Sequence, residues 1–356
     1  WTPLYAASFH GHEKTVECLV KYGAEINCAD KYGWIPLYIA SSNGHEKTVK
    51  CLVQCGAEIN RADNIGRTPL YSASIKGLET TVDLLVKCGA EVNGVERRGW
   101  TPLYAASFNG HQKTVECLVK YGAEVNLGEN YGRTPLHVAS FNGHQKTVEY
   151  LAKHGAKVNR ANKDGKTPLY LASLSSCEKI IACLVKCGAD INYTDNDGCT
   201  PLYAASENGR TKIVEFLVKC GAEINRADTR GRTPLYAASL KGREQVIEWL
   251  VKLGAEINRA DETGETPLYA ASLYGHEKTV ECLLKCGAEI NRADKDGRTP
   301  VYAACLKGHE KVIKCLVKCG AEINRADKFG RTPLLVVSRC DQEKIVECLM
   351  KNGAEI

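Results

Sequence analysis

The sequence predicts an all-α solenoid, in which short pairs of helices are stacked along the chain. All eleven prolines lie 33 residues apart, from Pro3 to Pro333, without an insertion or deletion between them. A fixed period of this size is typical of one supersecondary motif stacked on copies of itself. Apolar residues within each copy also recur at helical spacing. We therefore expect residues 1–356 to form a single array of about eleven repeats.

Residues 292–324 illustrate how the elements of one repeat are predicted. Thr299 is expected to cap a first helix, because Pro300 follows it and proline at the first helical position loses no hydrogen bond. A second helix is expected from about His309 to Lys318, where apolar residues share one helix face. Gly320 follows at the position that favours left-handed backbone geometry. The repeat is thus predicted to contain two antiparallel helices.

The remaining motif is a tight turn, and it completes a pattern that resembles a known family. Asp327-Lys328-Phe329-Gly330 has the Asp-first, Gly-last signature of a β-turn. Asp-x-x-Gly-x-Thr-Pro-Leu-x-x-Ala, then Gly-His, then Leu-x-x-x-Gly-Ala-x-Ile-Asn, resembles the ankyrin repeat and recurs along essentially the whole chain. The resemblance implies a curved right-handed stack with β-turn fingers, a concave groove lined by the fingers and first helices, and a convex back formed by the second helices.

The chain departs from the family pattern in two ways. Tyrosine follows Thr-Pro-Leu in nine copies where the family usually has histidine, with His137 in one copy and Leu335 in another. Ser176 and Asp341 replace the glycine between the two helices. The loss of this glycine at Ser176, together with the loss of the following histidine at Cys177, predicts a locally weaker stretch over residues 174–199.

Composition narrows the class of protein. The formal net charge of +5 is small for 356 residues, which argues against a general nucleic-acid binder. No apolar run approaches the roughly 18 residues of a membrane span, and the start of the chain does not look like a signal peptide. We expect a monomer in the cytoplasm, with a nuclear protein or the cytosolic part of a membrane protein left open. Because the sequence begins and ends within the repeat motif, we interpret it as a segment of a longer chain.

Most of the eighteen cysteines fall into two rows, in which other copies carry large apolar residues. We therefore expect both rows to be buried in a reducing compartment, rather than to form disulfides or a metal site. The first row contains Cys18, Cys51, Cys117, Cys183, Cys282, Cys315 and Cys348, and the second contains Cys55, Cys88, Cys187, Cys220, Cys286 and Cys319. Cys28, Cys177, Cys199, Cys305 and Cys340 lie outside the rows and are expected to be more exposed.

Signatures of catalysis fail on inspection, and we predict no catalytic residues, no cofactor and no enzymatic activity. His12-Glu13 begins like a His-Glu-x-x-His zinc motif, but Val16 occupies the position of the second histidine. Gly165-Lys166-Thr167 resembles the end of a phosphate-binding loop that lacks its first glycine. Six histidines share one row at the start of the second helices, where hydrogen bonding within the stack is expected: His12, His45, His111, His144, His276 and His309.

Charged pairs recur at the base of the predicted fingers. Arg-Ala-Asp appears five times, for example at Arg61 and Asp63. We interpret these residues as a ladder of ion pairs that connects neighbouring fingers, although exposed pairs contribute little individually. An arginine stripe that faces a ligand is the alternative.

A binding surface should lie in the positions that vary between copies. By the family resemblance, the row after the turn and the row ending the first helix line the concave groove, and in the first five copies both are rich in aromatic residues and arginine. That composition is typical of interface hot spots and predicts a protein partner. The predicted partner-binding residues are Tyr32, Trp34, Arg67, Arg97, Trp100, Phe108, Tyr131, Arg133 and Phe141, flanked by Arg98.

Three other interpretations remain open. The tryptophans could only pack against neighbouring fingers. The groove could instead bind nucleotides or single-stranded nucleic acid by stacking, although Glu96 and Glu129 interrupt it. The near-identical copies could also serve as a structural, elastic array. The leading hypothesis is a non-catalytic scaffold that binds a partner protein.

Overall fold

The computed structural model describes residues 1–175, 177–338 and 343–356. Two compact parts are present, unit 1 over Trp1–Asp190 and unit 2 over Ile191–Ile356. Across the described residues the chain contains 22 helices and no β-strand, which confirms the all-α prediction. The predictions made for Ser176, Cys340 and Asp341 fall outside the described residues.

Unit 1 contains six helix pairs, each made of a shorter first helix and a longer second helix. The helices are α1 Pro3–Phe9, α2 Glu13–Lys21, α3 Pro36–Ser42, α4 Glu46–Gln54, α5 Pro69–Ile75, α6 Glu79–Lys87, α7 Pro102–Phe108, α8 Gln112–Lys120, α9 Pro135–Phe141, α10 Gln145–Lys153, α11 Pro168–Leu174 and α12 Glu178–Lys186.

Unit 2 continues the same alternation. Its helices are α13 Pro201–Glu207, α14 Thr211–Lys219, α15 Pro234–Leu240, α16 Glu244–Lys252, α17 Pro267–Leu273, α18 Glu277–Lys285, α19 Pro300–Lys307, α20 Glu310–Lys318, α21 Pro333–Val337 and α22 Glu343–Lys351.

The helix boundaries follow the signals in the sequence. The Thr299 hydroxyl accepts the backbone N–H of Tyr302 at 3.4 Å, and α19 begins at Pro300, as the cap predicts. Gly308 ends that helix at φ 75°, in the left-handed region that only glycine adopts without strain. Gly320, at φ 89°, follows α20 in the same way. The predicted caps of this repeat are confirmed.

Packing within each unit joins the two helices of a repeat and also connects like helices of successive repeats. First helices contact first helices of the next repeat, and second helices contact second helices. Leu70, Val82 and Leu85, from the two helices of one repeat, are fully buried. Burying one such side chain stabilises the fold by about 1.5–3 kcal/mol. Stability therefore depends on the contacts between repeats, because one helix pair alone would leave an apolar face exposed.

The fingers are four-residue turns between repeats, such as residues 63–66. The Asp63 carboxylate accepts the backbone N–H groups of Ile65 and Arg67 at 3.0 and 2.9 Å, which closes the turn. Adjacent fingers are connected by one backbone hydrogen bond, from Asn64 N–H to the Tyr32 carbonyl at 3.1 Å. The fingers from Tyr32 to Lys163 in unit 1 are held in one continuous line by bonds of this kind.

Five of the six histidines in the row join successive repeats, as predicted. The His45 ring nitrogen Nε2 lies 2.9 Å from the Phe9 carbonyl oxygen, and His144 makes the equivalent contact to Phe108 at 2.9 Å. His111, His276 and His309 bond the preceding first helix in the same manner. These rings satisfy carbonyl groups that the end of an α-helix leaves without a partner.

The ion-pair ladder predicted at the base of the fingers is wrong. Arg61 pairs with Glu58, three residues earlier, at 3.4 Å. Asp63 instead pairs with Arg67, four residues later in the same finger, at 2.7 Å. The Asp63 carboxylate points into its own turn to accept backbone N–H groups, so it does not face the exposed Arg61 side chain. Neighbouring fingers are connected by backbone hydrogen bonds rather than by these charges.

Candidate functional site

The nine predicted binding residues all lie in unit 1, and they divide into an exposed set and a supporting set. The exposed aromatic side chains are Tyr131 (64%), Tyr32 (52%), Phe141 (51%) and Phe108 (38%). Arg97 is exposed as well, and so is its neighbour Arg98. Trp34, Trp100, Arg67 and Arg133 are only half-exposed and contact other residues of the fold.

Trp34 is engaged in packing. Its ring stacks on Tyr38 with the centroids 5.4 Å apart, and the centroid of the Tyr32 ring lies 5.3 Å from that of Trp34. Its indole N–H donates to the Asp63 carboxylate at 3.1 Å, which joins one finger to the next. The interpretation that the tryptophans pack between fingers therefore applies to Trp34.

Trp100 has a different environment. Its ring lies 4.7 Å from Tyr104 and 5.1 Å from Phe108, so it connects the finger to the end of α7. Within the described part of the chain its indole N–H donates no hydrogen bond, in contrast to Trp34. Trp100 thus packs against Phe108, and its indole N–H remains available as a hydrogen-bond donor.

Glutamate replaces aspartate at two fingers of this region without changing the turn. The Glu129 carboxylate accepts the backbone N–H groups of Tyr131 and Arg133 at 3.1 and 3.2 Å, and the Arg133 side chain at 3.0 Å. Glu96 accepts the N–H groups of Arg98 and Trp100 at 2.8 and 3.2 Å. Both glutamates are buried within their fingers, so they do not interrupt the groove with free negative charge.

Positive charge in this region is only partly neutralised. Arg67 and Arg133 are paired with the carboxylates of their own fingers. Arg97 donates to the Asn64 carbonyl at 3.3 Å, and neither it nor Arg98 forms an ion pair among the described residues. The surface between Tyr32 and Phe141 therefore presents two exposed guanidinium groups beside aromatic rings.

Successive repeats place these side chains side by side. Backbone bonds between fingers line up the turns that carry Tyr32, Arg98 and Tyr131. Phe108 and Phe141 end neighbouring first helices, which are connected by the bond from the Asn142 side chain to the Phe108 carbonyl at 2.9 Å. We call the set formed by Tyr32, Arg97, Arg98, Phe108, Tyr131 and Phe141 the aromatic–arginine surface.

Comparison with known families identifies the repeat. The family model described as ankyrin repeats, in three copies, matches residues 4–96, 82–162, 158–228, 223–294 and 278–356. The chain belongs to the ankyrin repeat family. Ankyrin repeats generally act as protein–protein interaction modules and not as enzymes.

A solved ankyrin structure shows the same fold. The crystal structure of the human ASB11 ankyrin repeat domain matches with a TM-score of 0.58 at 24% sequence identity, over 63% of this chain and 99% of that one. At this identity the likeness concerns the fold alone. No curated protein sequence matches the chain significantly. No helix of the described residues is long and apolar enough to cross a bilayer.

The cysteine predictions for this ankyrin chain are partly wrong. The first row is buried or half-buried except for Cys18, but in the second row Cys55, Cys88, Cys187 and Cys319 are exposed. Second-row residues directly follow the second helix, for example Cys55 after Gln54, where the chain turns outward into a glycine of positive φ. Cys199 and Cys305, which were expected to be exposed, are buried. They follow a finger and line a first helix, respectively, and both places face the ankyrin core.

The sequence did not predict that one imidazole side chain, that of His137, would be buried. His137 is fully buried at the start of α9, where it forms a capping box with Thr134. Thr134 N–H donates to the ring nitrogen Nδ1 at 3.1 Å. The exchange of tyrosine for histidine at this position of the repeat was visible in the sequence, but its consequence for charge depends on the burial seen in the fold.

Proposed function

We propose that this ankyrin array is a non-catalytic scaffold, and that its aromatic–arginine surface binds an extended segment of a partner protein that contains acidic and aromatic residues. The exposed rings of Phe108, Tyr131 and Phe141 beside Arg98 carry the proposal. Aromatic and arginine side chains dominate the binding energy of protein interfaces. An extended segment fits a line of fingers because successive fingers offer similar contacts along it.

Charge favours an acidic segment. Arg97 and Arg98 have no carboxylate partner among the described residues, whereas Arg67 and Arg133, which follow the turns, are neutralised by the carboxylates of their own fingers. A carboxylate of the partner would complete the missing pairs in unit 1, and it would accelerate association at low ionic strength.

The experiment starts from a displayed library of extended peptides selected against the whole chain. The dissociation constant of the best peptide is then measured by fluorescence polarisation for Phe108→Ala and Tyr131→Ala. We expect each variant to weaken binding by about tenfold or more, since removal of a hot-spot ring costs more than 1 kcal/mol. Far-ultraviolet circular dichroism checks that the variants remain folded.

The matched control is Phe329→Ala. Phe329 occupies the same fingertip position as Tyr131 and is even more exposed, but it belongs to unit 2. Its removal should leave peptide affinity unchanged. Selected peptides that lack acidic residues, or that bind Tyr131→Ala and the wild type equally, would contradict the proposal. Displacement of the peptide by single-stranded oligonucleotides would favour the stacking alternative instead.

A further inference from the structure

Four pairs of cysteines, four residues apart, lie at the ends of second helices. Residues i and i+4 share a helix face, with their Cβ atoms about 5–6 Å apart. In each pair the outer thiol helps to raise the pKa of the inner thiol, as expected for two groups on one helix face. The pairs are Cys51 with Cys55, Cys183 with Cys187, Cys282 with Cys286, and Cys315 with Cys319.

The pair in unit 2 at Cys315 and Cys319 combines accessible thiols with an adjoining cleft, while Cys183 and Cys187 have similar exposure. Cys319 is exposed and Cys315 is half-exposed, whereas Cys51 and Cys282 are buried. Both sulfur-bearing residues line a cleft of about 720 Å³ between α18 and α20. Leu284 and Ile290 give this cleft an apolar wall. A small group with an apolar substituent can therefore reach both thiols.

The raised pKa of the Cys315 thiol restricts the chemical class of ligand that this pair can bind. Burial, with the neighbouring Cys319 thiol and Glu281, raises the pKa of the Cys315 thiol to about 11. A zinc ion needs thiolates, usually from four ligands. Among the described residues no group of three or more potential metal ligands converges. The chemistry that remains is one in which the ligand condenses directly with thiols.

We propose that Cys315 and Cys319 form a bidentate binding site for a thiophilic trivalent metalloid, of which arsenic(III) is the test case. An arylarsonous acid, with two hydroxyl groups on arsenic, condenses with the two thiols. Two As–S bonds form, two As–O and two S–H bonds break, and two water molecules leave. Arsenic remains trivalent and both sulfurs keep their oxidation state, so no oxidant or reductant is needed.

The chain contains its own controls for the need of a pair. Cys88 lies at the same helix end as Cys319, but Leu84 takes the place of the inner thiol. Cys220 is likewise accompanied by Phe216. A second thiol on the same helix face raises the affinity through effective concentration, by about 100-fold or more. The single thiols should therefore release the arsenical readily.

The test uses the reduced full-length chain and phenylarsine oxide, which hydrates to the arylarsonous acid. One equivalent is added, excess monothiol is used to remove singly bound arsenic, and tryptic peptides are analysed by mass spectrometry. Trypsin cuts after Lys314 and Lys318, which places the two cysteines in separate peptides, 315–318 and 319–325. We expect these two peptides to be joined by one phenylarsenic group.

Cys319→Ser should abolish the linked peptide and weaken retention at this site by about 100-fold, while Cys88→Ser should leave both unchanged. A matching thermal unfolding midpoint for the two variants shows that the fold is intact. The proposal is overturned if the monothiol strips all arsenic from the wild type. It is also overturned if the first equivalent bridges other cysteines, or if Cys319→Ser retains it equally well.

Discussion

His137 should make the stability of unit 1 depend on pH, and its contacts allow the effect to be worked out. Because Thr134 N–H donates to Nδ1, that nitrogen carries no proton, and Nε2–H donates to the Lys166 carbonyl at 3.1 Å. Protonation of Nδ1 would break the first bond and place a positive charge in the interior.

The direction of this pH effect on stability follows from the pKa of His137 in the folded and in the unfolded chain. Burial, with Arg160 and Arg133 acting in the same direction, lowers the pKa of His137 from 6.5 to about 4 in the folded chain. The unfolded chain therefore binds more protons between these values. The stabilising contribution is fully present above pH 6.5 and is lost as the pH falls toward 4. The loss amounts to about 2 kcal/mol between pH 7 and pH 5 and about 3 kcal/mol at pH 4.

The perturbation is His137→Tyr, which restores the residue found at this position in nine other copies. Urea unfolding is followed by circular dichroism for both proteins at pH 7 and pH 5. The difference in unfolding free energy between the two pH values should be about 2 kcal/mol larger for the wild type. Carboxylates titrate in both proteins and cancel in this comparison. Equal pH dependence of the two proteins would refute the assignment of His137 as a buried neutral base.

Two further predictions concern the stack itself. Gly77→Ala should destabilise the chain by about 1 kcal/mol more than Gly89→Ala in urea unfolding. Both glycines have positive φ, but only at Gly77 would the new Cβ lie 2.5 Å from the His111 ring and disturb the hydrogen bond of that ring. Equal losses of unfolding free energy in the two variants would show that the His111 ring moves aside without cost, and would contradict this prediction. Hydrogen exchange followed by mass spectrometry should be faster near residues 174–199 than near 226–300, because α11 ends in an extended Ser175 and no histidine ring follows it. Uniform protection would contradict this expectation.

Much of the fold could be predicted because each repeat contains the same local signals. The threonine–proline caps, the glycines after the helices and the apolar spacing act within a few residues, and they fix helix boundaries to within one or two positions. The histidine row was predicted correctly for a related reason. A polar ring that recurs at the same position in six copies needs a partner at a constant distance along the chain, and the preceding first helix supplies one.

Side-chain direction was the part that sequence could not supply. The second cysteine row shares its position with Leu253, which suggested burial, yet the turn that begins there points most of these thiols outward. The Arg61–Asp63 pairing failed because the backbone N–H groups of the finger compete for the same carboxylate. Neighbours in sequence identify possible partners, but the turn geometry decides between them.

The two finger tryptophans differ in whether the carboxylate of the next finger accepts the indole N–H. At Trp34 the next finger begins with Asp63, whose Oδ2 accepts both the indole N–H and the Arg67 side chain while Oδ1 closes the turn. At Trp100 the next finger begins with Glu129, whose longer side chain uses one oxygen for two backbone N–H groups and for Arg133. No hydrogen bond joins the Trp100 indole N–H to this carboxylate, and the donor has no acceptor in the described part of the chain. If that donor binds the partner, Trp100→Phe should weaken peptide binding while Trp34→Phe lowers only stability, by about 1 kcal/mol. Polarisation and urea unfolding of both variants separate the two effects, and equal losses of affinity would contradict the distinction.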